Sequence, residues 1–234
     1  MITTVFFDLD GTLLPMDQDD FLKAYMGALS VKMVPYGYDA ALLIKSIWKA
    51  TGAMVINDGS ARNDQVFWKV FSASMGRDTQ TDEAAFLDFY EKEFQSIAGV
   101  CGCDSRAAQT VDQIRQMGKR LVLATNPLFP AVATRSRAKW AGLDPDIFEY
   151  ISTFENSFYS KPNPDYYREI LDKLNLCAEE CLMVGNDAGE DMVAQDLGMN
   201  VFLLTDCLIN KDGRDISRYP HGSFPELMKY IRSL

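Results

Sequence analysis

Ile2-Thr3-Thr4-Val5-Phe6-Phe7-Asp8-Leu9-Asp10-Gly11-Thr12 stands close to the start of the chain. Its first six residues are apolar or β-branched, the composition of a buried strand. Two carboxylates and a glycine follow at once. Side chains at i and i+2 of a strand point to the same side, so Asp8 and Asp10 converge where the extended geometry persists, and Gly11 then lets the backbone turn. Two like charges held this close are costly unless a cation or a shared proton relieves them, an arrangement found at sites built for reaction. An ordinary Asp-Gly turn would explain part of the pattern. A calcium-binding EF-hand loop fits poorly, because Leu13-Leu14-Pro15 donate no oxygen side chains and a strand-like run, not a helix, precedes the acids.

Working outward, four more short apolar runs read as buried strands: 121–124, 148–152, 182–184 and 201–204. Helical patterns lie between them, at Ser105 to Met117, Pro130 to Ala141, Pro164 to Leu174 and Glu190 to Leu197. Alternation of this kind predicts an α/β fold, a doubly wound Rossmann-like parallel sheet. From Pro15 to Asp104 the rhythm breaks for far longer than the crossover of about a dozen residues that a parallel connection needs. That interval carries helical patterns at Asp17 to Leu29, Ala40 to Thr51, Asp64 to Met75 and Asp82 to Phe94, which predict an inserted helical cap domain at 16–99 on a core formed by 1–15 and 100–234. Its aromatic stripes, Trp68, Phe71 and Met75 or Phe86, Tyr90 and Phe94, read first as the core of that insert, because an amphipathic helix must bury its own apolar face. Asp17, Asp19 and Asp20 suit a helix N-cap and first turn.

In open α/β sheets ligands bind at the C-terminal strand ends. Three polar clusters fall at such ends besides the first: Thr125-Asn126, the loop lysine of Ser160-Lys161-Pro162, and Gly185-Asn186-Asp187-Ala188-Gly189-Glu190-Asp191. Each has an ordinary reading as well, as a turn, a solvated lysine and an acidic helix start. The 234 residues, 47% hydrophobic and 24% charged, are those of a globular protein. A net charge of -10 speaks against nucleic-acid binding, which needs clustered Lys and Arg. No run is uncharged for long enough to span a membrane. Five cysteines without zinc-ligand spacing and a single histidine fit reduced thiols in a cytoplasmic protein.

Taken together, Asp8-Leu9-Asp10-Gly11-Thr12, Thr125, Lys161 and the Asn186-Asp187…Asp191 cluster resemble, in order along the chain, the haloacid dehalogenase-like hydrolase superfamily. The resemblance implies that Asp8 is a nucleophile and Asp10 the general acid/base that marks phosphoryl transfer as opposed to dehalogenation. It implies phosphate-holding roles for Thr125, Asn126 and Lys161, a helical cap over the site, and Mg²⁺ held by Asp8, the Asp10 carbonyl and Asp187. The activity implied is hydrolysis of small phosphate monoesters through an aspartyl-phosphate, with a phosphomutase or a non-catalytic phosphate-binding protein as alternatives. The family's fourth motif places the metal-binding Asp directly after a Gly, whereas Asn186 occupies that place here. Taking Asp187 as the ligand favours the stronger carboxylate donor and leaves Asp191 to orient the site; without a gap, Asn186 would face the metal. Lys23, Lys32, Tyr36, Arg62 and Trp68 are cap candidates for substrate contact. Nothing in the pattern sets an oligomeric state.

Overall fold

The computed structural model describes residues 1–234. Strand β1 (Thr4–Phe7) lies at the centre of a six-stranded sheet. Its neighbours are β2 (Arg120–Leu123) and β4 (Cys181–Gly185), with β3 (Tyr150–Ile151), β5 (Asn200–Leu204) and β6 (His221–Gly222) completing the order β3-β2-β1-β4-β5-β6. Every pairing is parallel. The chain therefore winds in one direction from β1 and then in the other, and β1 sits at the reversal, where a crevice opens.

Alternation along β1 sets the layers. Val5 and Phe7 pack with Val111 and Ile114 of α5 (Ser105–Gln116) and Leu227 and Ile231 of α8 (Phe224–Ser233). Phe6 faces the other way, into Tyr166, Tyr167 and Ile170 of α7 (Pro164–Leu174). Both faces are covered, as an all-parallel sheet requires. Helix α6 (Ala131–Trp140) follows β2.

Four helices fill the long interval: α1 (Gln18–Met33), α2 (Ala40–Val55), α3 (Asn63–Met75) and α4 (Glu83–Glu91). Asp17 caps α1, accepting from the N–H groups of Asp19 and Asp20 at 2.9 and 3.0 Å. The aromatic stripes converge in a separate core, with Phe71 and Phe94 fully buried. The chain leaves and re-enters the sheet domain side by side: Met16 pairs with Cys101, and the Gly102 N–H donates to the Pro15 carbonyl at 2.7 Å. A second attachment is at the start of α3, where Asn63 and Asp64 donate their N–H groups to the carbonyls of Ser157 and Phe154, both at 2.9 Å. No helix is long and apolar enough to cross a membrane.

Several expected elements differ in extent. The strand at 148–152 is reduced to two residues at the sheet edge. The helix expected from Glu190 is a 3-10 segment, Met192–Leu197, because the chain before it is bent to turn the Asp191 carboxylate back onto the Asp187 N–H at 2.9 Å. The fourth helical pattern of the insert stops at Glu91 and continues as a 3-10 stretch, Glu93–Val100. Strand β6 and helix α8 lie beyond the expected elements.

Candidate active site

Phe7 is level with Leu123 of β2 on one side and with Val184 of β4 on the other. The chain beyond each strand therefore emerges at one edge, and the register carries Asp8, Thr125 and Asn186 there together. The Asp8 N–H still donates to the Val184 carbonyl at 2.9 Å, which fixes the carboxylate relative to the sheet. Gly11 turns at φ +83°, and a Cβ on it would stand 2.3 Å from Asn186 Nδ2. Only glycine suits that position on both counts.

Asp8 is 7% exposed. Its Oδ1 accepts from Lys161 Nζ at 2.9 Å and its Oδ2 from the Thr12 hydroxyl at 3.0 Å. Lys161 is 1% exposed and also donates to Asp191 Oδ1 at 2.6 Å. Burial works against the charge on Lys161, but the Asp191 and Asp8 carboxylates outweigh it and hold the ammonium well above the ordinary lysine range. Burial likewise pushes the Asp191 carboxyl upward against the pull of Lys161. An ammonium has three protons to donate, and two are taken. The third has no acceptor within the protein.

The loop carrying Lys161 is held from β2. Asn126 Oδ1 accepts the Lys161 N–H at 3.2 Å while its Nδ2 donates to Glu190 at 3.0 Å, so this amide braces the lysine loop. The Thr125 carbonyl accepts the hydroxyls of Ser152 and Tyr166, at 2.6 and 2.9 Å. That leaves the Thr125 side chain on the wall of the site. Gly185 makes room for Asp191, whose Oδ2 would lie 2.1 Å from a Cβ there.

Asp10 meets a residue that the sequence reading missed. Arg137 of α6, 1% exposed, donates from Nη1 to Asp10 Oδ2, and its guanidinium carbon lies 4.3 Å from the Phe129 ring centre. The other Asp10 oxygen, Oδ1, is buried without a partner. Asp10 lines the cavity. Burial therefore raises its carboxyl above the usual range; Arg137 pulls it down, and the nearby Asp8 adds to the rise. Such a carboxyl keeps its proton to higher pH than a free one does, the direction a proton carrier needs.

The fourth cluster divides its roles. Asn186, 1% exposed, donates from Nδ2 to the Cys207 carbonyl at 2.7 Å, which points its Oδ1 at the Thr12 hydroxyl, 2.8 Å away. Thr12 thus has one proton between two acceptors, Asp8 Oδ2 and Asn186 Oδ1. Asp187 lines the same cavity, with one oxygen accepting from the N–H groups of Gly189 and Glu190 at 2.7 and 3.0 Å. The Gly11 N–H is committed to the Leu14 carbonyl at 2.8 Å, closing the turn, and is not free for a ligand.

Above these groups lies a cavity of about 590 Å³ between the sheet edge and the insert, walled by Asp8, Asp10, Thr125 and Asp187 below and by α1 and α2 above. Of the five cap candidates, Trp68 lines it. Lys32 is instead paired with Asp88 and with Glu93 at 3.0 Å, Arg62 bonds Asp64 at 3.0 Å, and Lys23 and Tyr36 are exposed elsewhere. Trp68, Phe86 and Tyr90 serve the core of the insert and the cavity wall at once.

A parallel sheet with a strand-end carboxylate seated against a buried lysine, under a helical insert, defines a class of hydrolases that use a carboxylate at the switch point. The profile of the haloacid dehalogenase-like hydrolases matches residues 2–194, and the chain belongs to that family. It is 24% identical over 229 residues to a phosphoglycolate phosphatase of Colwellia psychrerythraea, covering 97% of this chain and 95% of that one. Among solved structures it resembles a 2-haloacid dehalogenase of Pseudomonas syringae pv. Tomato (TM-score 0.63, 18% identity, 100% and 99% covered). A HAD phosphatase of Thermococcus onnurineus is similar too (TM-score 0.59, 19% identity, 98% of both chains covered).

Proposed function

We propose that the protein is a Mg²⁺-dependent phosphatase that hydrolyses phosphate monoesters through an aspartyl-phosphate on Asp8. The observation that carries this reading is the pairing of two differently treated carboxylates in one cavity. Asp8 is held between Lys161 and Thr12, and Asp10 has one oxygen without a partner and an upward-shifted carboxyl. Environments that separate two acids in this way support reading one as nucleophile and the other as proton carrier. The phosphoglycolate phosphatases among its relatives support a phosphatase activity.

No three Asp, Glu, Cys or His side chains form a metal cage by themselves. Mg²⁺ does not require one, because it binds through one or two carboxylates, waters and the substrate's phosphate. The donors present are hard oxygens, and they outnumber the protons available: the Thr12 hydroxyl serves two acceptors and Asp10 Oδ1 has none. The residues therefore fit such a cation. Asp8, the Asp10 carbonyl and Asp187 would hold it, with the Asn186 amide oxygen beside Asp8 as a further donor. When bound, it supplies positive charge that lets an anionic ester approach the acids.

Asp8 attacks phosphorus, and the bond to the leaving oxygen breaks as Asp10 passes its proton to that oxygen. Lys161, through its third proton, and the Thr125 hydroxyl, with the backbone N–H groups of Leu9, Asp10 and Asn126, hold the transferred oxygens. Asp10, now a carboxylate, takes a proton from the water that attacks the aspartyl-phosphate, which releases phosphate and restores Asp8. Arg137 keeps Asp10 in place between the two steps.

The test is hydrolysis of an aryl phosphate. Asp8→Asn is expected to abolish it, and a chelator to suppress it until Mg²⁺ is returned. Turnover that survives both overturns the reading.

A further inference from the structure

The wall facing the acids has a chemistry of its own. Phe21, Met26, Ile47, Trp48 and Phe86 come from the insert, and Phe129 and Phe154 meet them from the sheet side. The volume, about 590 Å³, is well within the range of roughly 300 to 1,000 Å³ that holds sizeable organic ligands. Lys211 is the only lysine or arginine on the wall, and it belongs to the loop after β5, not to the insert. The charged side chains that line it besides Lys211 and the acids Asp8, Asp10, Asp187 and Asp191 are Asp19 and Glu190, both acidic.

Polar handles on the insert are few. Tyr25 and Tyr90 line the cavity with their hydroxyls 2.8 Å apart. One of the two donates to the other, so a single hydroxyl proton is left over. It suits one acceptor atom on a ligand. Gln18 and Thr51 add an amide and a hydroxyl, but no lysine or arginine of the insert lines the cavity, so a carboxylate held against the insert would lack a cation, and a buried charge without one is strongly disfavoured.

From this we infer that the preferred substrates are phosphate monoesters of uncharged, ring-bearing alcohols or phenols, not of short hydroxy acids or polyols. The inference rests on the phosphatase reading and deepens it. The ring stacks among the aromatic side chains of the insert, and the tyrosine pair takes one acceptor on it.

The experiment compares kcat/KM for naphthyl phosphate, glycerol phosphate and phosphoglycolate in one preparation, so that only ratios are read. Naphthyl phosphate is expected to lead phosphoglycolate by at least about tenfold, the discrimination an apolar pocket gives. Gly52 on α2 lines the same cavity, and a side chain built there meets nothing within 4 Å, so Gly52→Lys puts a cation on the wall without disturbing the fold. It is expected to shrink that ratio about tenfold. Equal or better use of phosphoglycolate by the natural protein overturns the inference, as does a ratio that Gly52→Lys leaves unchanged. Should no ester be turned over, the phosphatase reading fails separately. Calorimetric binding of naphthylmethylphosphonate against phosphonopropionate then decides, with preference for the naphthyl compound supporting the inference and parity or the reverse overturning it.

Discussion

Lys161 holds two carboxylates with one ammonium in a place that water does not reach, and its removal is the most informative single change. Lys161→Met leaves Asp8 and Asp191 as buried charges facing each other. Breaking a buried pair of this kind costs about 3 to 5 kcal/mol, so urea unfolding should show an unfolding free energy lowered by that amount and an earlier midpoint. A midpoint within the error of the unaltered protein would mean that the acids rearrange into solvent. At the metal, Asp187→Ala is expected to weaken Mg²⁺ binding at least about tenfold, read by calorimetry. Unchanged binding would hand the role to Asn186, whose oxygen already stands beside Thr12. Asp8 and Asp10 were legible in the sequence because strand periodicity and a following glycine are local rules. Arg137 was not. It lies in a run with Arg135 and Lys139 that looks like any solvated helix face, and Arg135 does face solvent, where it pairs with Asp146. Only the packing of α6 under Phe129 shows which of the three turns inward.

Among the elements, the start of α3 is the one that couples the insert to the catalytic loop. Asn63 is fully buried, and its Nδ2 reaches Ser160 Oγ at 3.1 Å and the Tyr159 carbonyl at 3.2 Å, immediately before Lys161. Its Oδ1 accepts from Asn57 at 2.9 Å. Asn63→Ala would strand these partners at a cost of about 1 to 3 kcal/mol, felt locally. Hydrogen exchange should quicken in 154–161 and in the first turn of α3 while β1 stays protected; uniform protection would show that the latch carries no energy. Helix boundaries in the insert were read to within a few residues because each pattern is long and Asp17 is a plain cap. Strand β3 was overestimated because Phe148, Tyr150 and Ile151 in a five-residue run satisfy a strand pattern, yet only two residues reach a partner at the sheet edge. The end of the chain did carry a signal: Ser223 and Glu226 form a capping box, Pro225 stands in the first turn, and Phe224, Leu227, Met228 and Ile231 repeat at helical spacing.

Over the whole molecule, three apolar clusters share the burial, and the tyrosines of the active-site cavity report on the insert. Burial pushes the Tyr25 phenol up to about 12, against the smaller opposing effect of its bond to Tyr90, and Tyr90 is raised as well. An unfolded chain ionises its tyrosines near pH 10, earlier than the folded one. Stability from these groups is therefore complete below about pH 10 and is lost as the pH climbs through about 12, by some 2 to 3 kcal/mol for Tyr25 alone. Tyrosinate absorbance should rise together with loss of the folded circular dichroism signal; ionisation that precedes unfolding would place the hydroxyls in contact with solvent. The crossing at Pro15 and Gly102 bears on ancestry. A segment whose two ends meet across one hydrogen bond can be cut out, lengthened or exchanged with little change in loop entropy. What sits above the carboxylates can thus be replaced as a unit without redrawing the sheet that carries them.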